Sequence, residues 1–220
     1  MSFPSLNAIE ARVLGCLLEK ERLTPEVYPL SLNSLTNACN QSTNRDPVLC
    51  LEEREVERAI ESLRERKLAA MIMGAGSRVQ KYRHNLSDHY ELDRREQALV
   101  TVLLLRGPQT AGELRSRTER YCSFNDLAEV ESVLKGLSEG ADPLVRLLPT
   151  RPGQKEARWV ELLSDRATVE PASGAVPASA EVPQPANPTR LDSLEQEIGK
   201  LKEELTALRE EFATFKRQFE

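Results

Sequence analysis

The feature that most constrains this chain is a repeated phrase. Val56-Glu57-x-x-Ile60-x-x-Leu63 is echoed by Val130-Glu131-x-x-Leu134-x-x-Leu137, an offset of 130 − 56 = 74 residues. An internal duplication means that one supersecondary unit, used twice, accounts for most of the polypeptide. In both copies apolar residues recur at three- and four-residue steps, which line one face of a helix. In the first copy the period then changes. Ala69-Ala70-Met71-Ile72-Met73 reads as a strand, Gly74-Ala75-Gly76-Ser77 as a turn, and Arg78-Val79-Gln80-Lys81-Tyr82-Arg83 as a returning strand. A helix feeding a two-stranded ribbon, after two earlier helices, is the pattern of a winged helix-turn-helix.

The helices of the first copy follow from capping and periodicity. Leu6 to Glu21 is amphipathic, with Ala8, Ile9, Val13, Leu14, Leu17 and Leu18 on one side. Asn7 is its N-cap and Glu10 stands three residues later. Pro25 and Pro29 make Leu23 to Leu30 a connector. Ser31 or Asn33 opens a short helix carrying Leu32, Leu35 and Ala38. The main helix, Glu52 to Lys67, has an acidic first turn of Glu52, Glu53, Glu55 and Glu57. Those carboxylates suit the helix dipole but not a phosphate.

The second copy has the same order. Asp93 to Arg106 is a helix closed by Gly107-Pro108, and Thr110-Ala111-Gly112-Glu113 is a capping box for a helix through Arg120. Asn125 or Ser123 caps a third, Asp126 to Glu139. Leu144 to Leu148 and Glu156 to Leu162 are the ribbon strands, with Trp159 expected to plug the core.

Between the second and third helices of the first copy lies Cys39-Asn40-Gln41-Ser42-Thr43-Asn44-Arg45-Asp46-Pro47, dense in amides and hydroxyls. The second copy has no counterpart. Asn, Gln, Thr and Arg contact phosphate oxygens and base edges, and they also cap helix ends and satisfy loop backbone. Both uses stand open at this point. As a nucleic-acid surface the candidates are Asn40, Gln41, Thr43, Asn44 and Arg45 from this loop. The helix adds Arg54 and Arg58, and the ribbon adds Arg78, Lys81 and Arg83.

Charge neither demands nor forbids such a surface. The net charge is −5, yet residues 1–90 hold 12 basic against 12 acidic side chains and residues 91–163 hold 11 against 12. The acidity is concentrated in residues 191–220, with 5 basic against 8 acidic.

Residues 164–190 are rich in Pro, Ala and Ser and read as an extended tether. Beyond it, Leu191, Leu194, Ile198, Leu201, Leu205, Leu208, Phe212, Phe215 and Phe219 keep spacings of three and four without a break. That is a heptad seam, the mark of a coiled-coil helix that pairs with a second copy or a partner helix. The domain expectation is therefore 1–90 and 91–163 as winged-helix units, 164–190 as linker and 191–220 as coiled coil. The fold class is mainly α with small β-ribbons.

No phosphate loop, Gly-x-Ser-x-Gly or His-Glu-x-x-His occurs. His84 and His89, with Cys39 and Cys50, match no common zinc spacing. No enzymatic activity, cofactor or metal is expected. Cys16, Cys39, Cys50 and Cys122 form no Cys-x-x-Cys pair, no secretory leader precedes them, and no run is long enough to span a membrane. The expectation is a cytoplasmic protein with reduced thiols and no membrane partner.

The stretch Asn33-Ser34-Leu35-x-x-Ala38-Cys39-Asn40-Gln41-x-x-Asn44-Arg45-Asp46-Pro47, with Glu55-Val56 and the Leu63 to Leu68 segment, resembles the YceH-like family of bacterial proteins. The resemblance covers about residues 4–163 and is most specific at Asn44-Arg45-Asp46-Pro47. It implies two consecutive winged-helix domains and a cytoplasmic bacterial protein, with no activity attached. Glu52 departs from the serine cap expected there, and the C-terminal seam lies beyond the resemblance. The expected function is DNA binding of the transcription-regulator type, to double-stranded DNA, as a dimer joined through the heptad helix. The alternative is a non-enzymatic protein-interaction scaffold with a coiled-coil docking tail.

Overall fold

The computed structural model describes residues 5–73, 79–150, 154 and 156–165. Arg78, the turn expected at Gly74 to Ser77, most of the linker and the whole heptad seam lie outside the described residues. Among those described, the fold is mixed: six α-helices and two small antiparallel sheets. No described helix is long and apolar enough to cross a membrane.

The helix α1 (Ala8–Leu23) starts at the expected box. Asn7 Oδ1 accepts from the amides of Ile9 and Glu10, and the Glu10 carboxylate accepts from the amide of Asn7 at 2.8 Å. Two further helices follow, α2 (Leu32–Cys39) and α3 (Glu53–Glu65). The α3 start at Glu52 uses Glu55 as its reciprocal partner, so the missing serine does not cost the helix its box. The strands β2 (Ala69–Met73) and β3 (Gln80–His84) pair with Met71 opposite Tyr82. The connector holds a two-residue strand, β1 (Leu30–Ser31), that pairs with the other edge of β3. Preceded by Pro29 and only two residues long, β1 carries no periodicity to read.

The second copy repeats this order as α4 (Arg94–Arg106), α5 (Ala111–Thr118), α6 (Leu127–Ser138), β4 (Val145–Leu148) and β5 (Arg158–Glu161). The cap of α6 is Asp126, which accepts from the amide of Glu129 at 2.8 Å, and not Asn125 or Ser123. The Thr110–Glu113 box stands as expected. Trp159 is partly buried against the core, and its backbone exchanges two hydrogen bonds with Gln109.

The repeated phrase is a packing phrase. Val56, Ile60 and Leu63 in α3 and Val130, Leu134 and Leu137 in α6 are all buried. Each contributes about 1.5–3 kcal/mol by leaving water. Residues 1–170 form one compact unit with a continuous core. The reason is that α1 and α4 pack on each other and are buried nearly all round, residues 10–19 and 97–105 respectively. This corrects the one-sided helix expected at the N-terminus. Its second face, with Gly15 at the crossing, is small enough for α4 to approach: a Cβ on Gly15 would stand 2.9 Å from Leu105 Cδ2. Ser164 and Asp165, assigned to the linker by composition, belong to this unit. Leu6 donates to the carbonyl of Leu163 at 2.8 Å and accepts from the amide of Asp165 at 3.1 Å.

Candidate functional site

The amide-rich loop between α2 and α3 carries side chains whose chemistry admits two uses. Asn40 brackets the loop. Its Nδ2 donates to the carbonyl of Leu51 at 2.8 Å, and its Oδ1 accepts from the Leu51 amide at 2.7 Å. Gln41 Oε1 accepts from Lys20 and from Arg45. Asn44 takes φ of 57°, a left-handed value that Asn tolerates better than most residues, and its carbonyl accepts from Arg45. Thr43 alone of the five loop candidates is exposed.

Arg45 is the clearest correction. Its side chain has no exposure, so it is not available to a phosphate. Nη2 donates to Glu19 Oε2 at 2.6 Å and Nη1 to Oε1 at 3.2 Å, while Nε and Nη2 both reach the carbonyl of Ala38. Arg12, also buried, donates to the carbonyls of Cys39 and Pro47. Ala38 and Cys39 are the last residues of α2, whose terminal carbonyls have no partner within the helix. Two guanidinium groups thus cap the negative end of α2 and pin the loop to α1. Burial pushes the Glu19 carboxyl up, but the Arg45 hydrogen bonds and the charges of Arg45, Lys20 and Arg120 outweigh it and hold the group below its ordinary range.

Sequence reading passed over Arg12 and Glu19. Their signal was spacing: Arg12, Cys16 and Glu19 stand at i, i+4 and i+7, so they share one face of α1. On a helix buried all round, that face had to hold partners for both charges. The same holds for Tyr121, whose hydroxyl donates to Glu19 at 3.2 Å from the second copy. A second polar joint links Glu21 to His84 Nε2 at 2.8 Å and to Gln97 at 3.3 Å. The amide of Leu86 donates to His84 Nδ1, so Nε2 carries the proton given to Glu21.

The remaining candidates divide between two surfaces. Arg54 and Arg58 are exposed on α3, and so are Glu53 and Glu57 on the same helix. Burial, then the charge of Glu61, push the Tyr82 hydroxyl up, while Arg64, paired with Glu61 on α3, pulls against them. On the ribbon, Arg83 is exposed and Lys81 half-exposed. With them stand three exposed apolar side chains, Ile72 (36%), Met73 (62%) and Val79 (55%). The arginines in and just after α5 are engaged: Arg115 with the carbonyl of Asn125, Arg117 with Glu113, and Arg120 with Glu19. The imagined zinc set is scattered. Cys39 is buried, Cys50 exposed, His84 held by Glu21, and His89 bonded to the carbonyl of Lys67.

Comparison with known proteins returns one family. Residues 6–154 match the family model described as protein of unknown function, DUF480. The chain is 50% identical over 216 residues to a UPF0502 protein of Geobacter sulfurreducens, covering 98% of each. Against a UPF0502 protein of Geotalea daltonii it is 50% identical over 216 residues, covering 98% of this chain and 99% of the other. Against one of Shewanella loihica it is 45% identical over 208 residues, covering 90% and 94%.

Proposed function

The chain belongs to the DUF480 family, the UPF0502 proteins of bacteria, and from that premise we propose that it is a non-enzymatic protein-docking scaffold. In this reading two winged helix-turn-helix modules, residues 1–90 and 91–163, share one core. The heptad helix at 191–220, on its tether, joins copies or holds a partner helix in the cytoplasm.

One observation carries the reading: the exposed face of the first ribbon mixes Ile72 and Val79 with Lys81 and Arg83, while Asn40, Gln41 and Arg45 of the amide-rich loop are bonded within the fold. Exposed apolar groups gathered in one place support a protein contact. Three of the five loop candidates for base readout, Asn40, Gln41 and Arg45, spend their side-chain groups on the fold.

A second reading, binding of duplex DNA, is favoured by a different observation. Arg54, Arg58, Lys81 and Arg83 make no ion pair among the described residues, and they lie on the helix and ribbon that meet DNA in winged helices. A salt-titrated binding assay on duplex DNA separates the two. Docking predicts weak binding unchanged by Lys81→Ala and Arg83→Ala. DNA recognition predicts affinity that falls steeply with salt and a shallower salt slope in those variants.

A further inference from the structure

The first ribbon has one open edge. The strand β3 is paired on both sides, to β1 and to β2, which leaves the outer side of β2 without a strand among the described residues. Antiparallel alternation says which groups face that side. The His84 amide turns away from β2 and donates to the Tyr28 hydroxyl at 2.8 Å, so the Ala69–His84 pair is one of those that exchange no hydrogen bonds. Counting along the register, the amides and carbonyls of Met71 and Met73 point to the open side. Ala69 does too, but it is buried. The strand Ala69–Met73 contains no charge and no proline, the devices that usually blunt an edge.

The outward face beside that edge has its own chemistry. Tyr82 and His84 are buried, so alternation puts Lys81 and Arg83 on the solvent side, opposite Ile72 and Ala70. Val79 continues the same row. Neither cation is in an ion pair among the described residues.

Resting on the docking reading above, we infer that the open edge of β2 takes an extended, acidic, apolar segment of another protein as an added strand. Met71 and Met73 supply the backbone hydrogen bonds, Ile72 and Val79 the apolar contact, and Lys81 and Arg83 the charge complement. Charge complementarity selects this occupant. A second copy of this chain would pair through its own Ala69–Met73, which brings no acidic side chain to meet Lys81 and Arg83. A nucleic acid would satisfy the two cations but leave Ile72 and Val79 against phosphates.

The test uses the full-length protein and a short labelled peptide alternating Val and Glu, followed by fluorescence anisotropy. A Val-Lys peptide and a Val-Glu peptide with a central proline are the controls. The double charge reversal Lys81→Glu with Arg83→Glu changes only surface groups, and circular dichroism confirms that each variant is folded. The expected result is binding of the Val-Glu peptide, weakened about tenfold or more by charge reversal, by Ile72→Asp or by raised salt, with neither control peptide bound. Equal binding of both charged peptides, or no effect of the charge reversal, overturns the assignment. So does light scattering in which Ile72→Asp abolishes self-association, which would put a second copy on the edge. If the peptide and duplex DNA both fail to bind, the strand-addition site falls and the docking reading stands. If DNA binds through Lys81 and Arg83, both fall.

Discussion

Glu19 and Arg45 face each other across a bidentate contact, 2.6 Å and 3.2 Å, with both side chains essentially removed from solvent. The pair lies where α1, the α2 C-terminus and the second copy's Tyr121 meet. A buried pair is weak evidence of net stabilisation, but breaking one side of it is expensive because the other charge is left without compensation.

Arg45→Ala should therefore destabilise the protein by about 3–5 kcal/mol. It also strands the carbonyl of Ala38. Urea unfolding followed by circular dichroism measures this. A change under about 1 kcal/mol would mean the pair does not organise the loop.

Asn40→Ala should cost about 1–3 kcal/mol, since it leaves the Leu51 amide and carbonyl without their partner. Thr43→Ala, on the exposed part of the same loop, should stay within about 0.5 kcal/mol. Equal effects from the two would show that the loop is not held by the Asn40 bracket.

Gly15→Ala sets helix propensity against packing. The substitution gains about 1 kcal/mol of propensity, while overpacking against Leu104 and Leu105 costs about 1–3 kcal/mol. Leu104 Cβ at 3.1 Å has little room to yield, so the net should be destabilising. Gly136→Ala, in α6 with nothing within 4 Å, should stabilise by up to about 1 kcal/mol. Thermal melts of the two variants should move in opposite directions.

Acid should unfold the protein through Glu19 and Glu21. Both are held below the ordinary carboxylate value of 4.5, Glu19 by Arg45 against its burial, Glu21 chiefly by the hydrogen bond from His84. A lowered folded value means the stabilisation is fully present above 4.5 and is lost as pH falls through the lowered values. Buried Glu19 contributes a slope of up to about 1.4 kcal/mol per pH unit in that window, and the more exposed Glu21, screened by solvent, contributes less. Glu19→Gln should flatten the stability curve below pH 4.5. An unchanged slope would remove Glu19 from the account.

Removing residues 191–220 should abolish self-association through the heptad seam. Light scattering on the full chain and on the shortened one measures it. An identical number of protomers per particle would mean that Leu191 to Phe219 do not join copies of the chain.

Periodicity and capping carried much of the local structure. Strand β2 stands at the residues read from its pattern, and Asn7, Thr110 and the Val56 and Val130 phrases do what their spacing said. These features depend on neighbours within a few residues, which the chain itself supplies. The uses of the polar residues were not legible in the same way. Asn40 and Arg45 carry the same hydrogen-bonding groups whether they meet a phosphate or a helix end.

What the amino-acid order determined alone is the repeated helix-and-ribbon unit, because helix faces, caps and strand alternation are local. What only the tertiary structure decided is where the charges went. Packing α1 against α4 buried both faces of α1 and with them Arg12 and Glu19. A buried charge must find a partner wherever the fold brings one, and for Glu19 that partner was Arg45, 26 residues away in the chain.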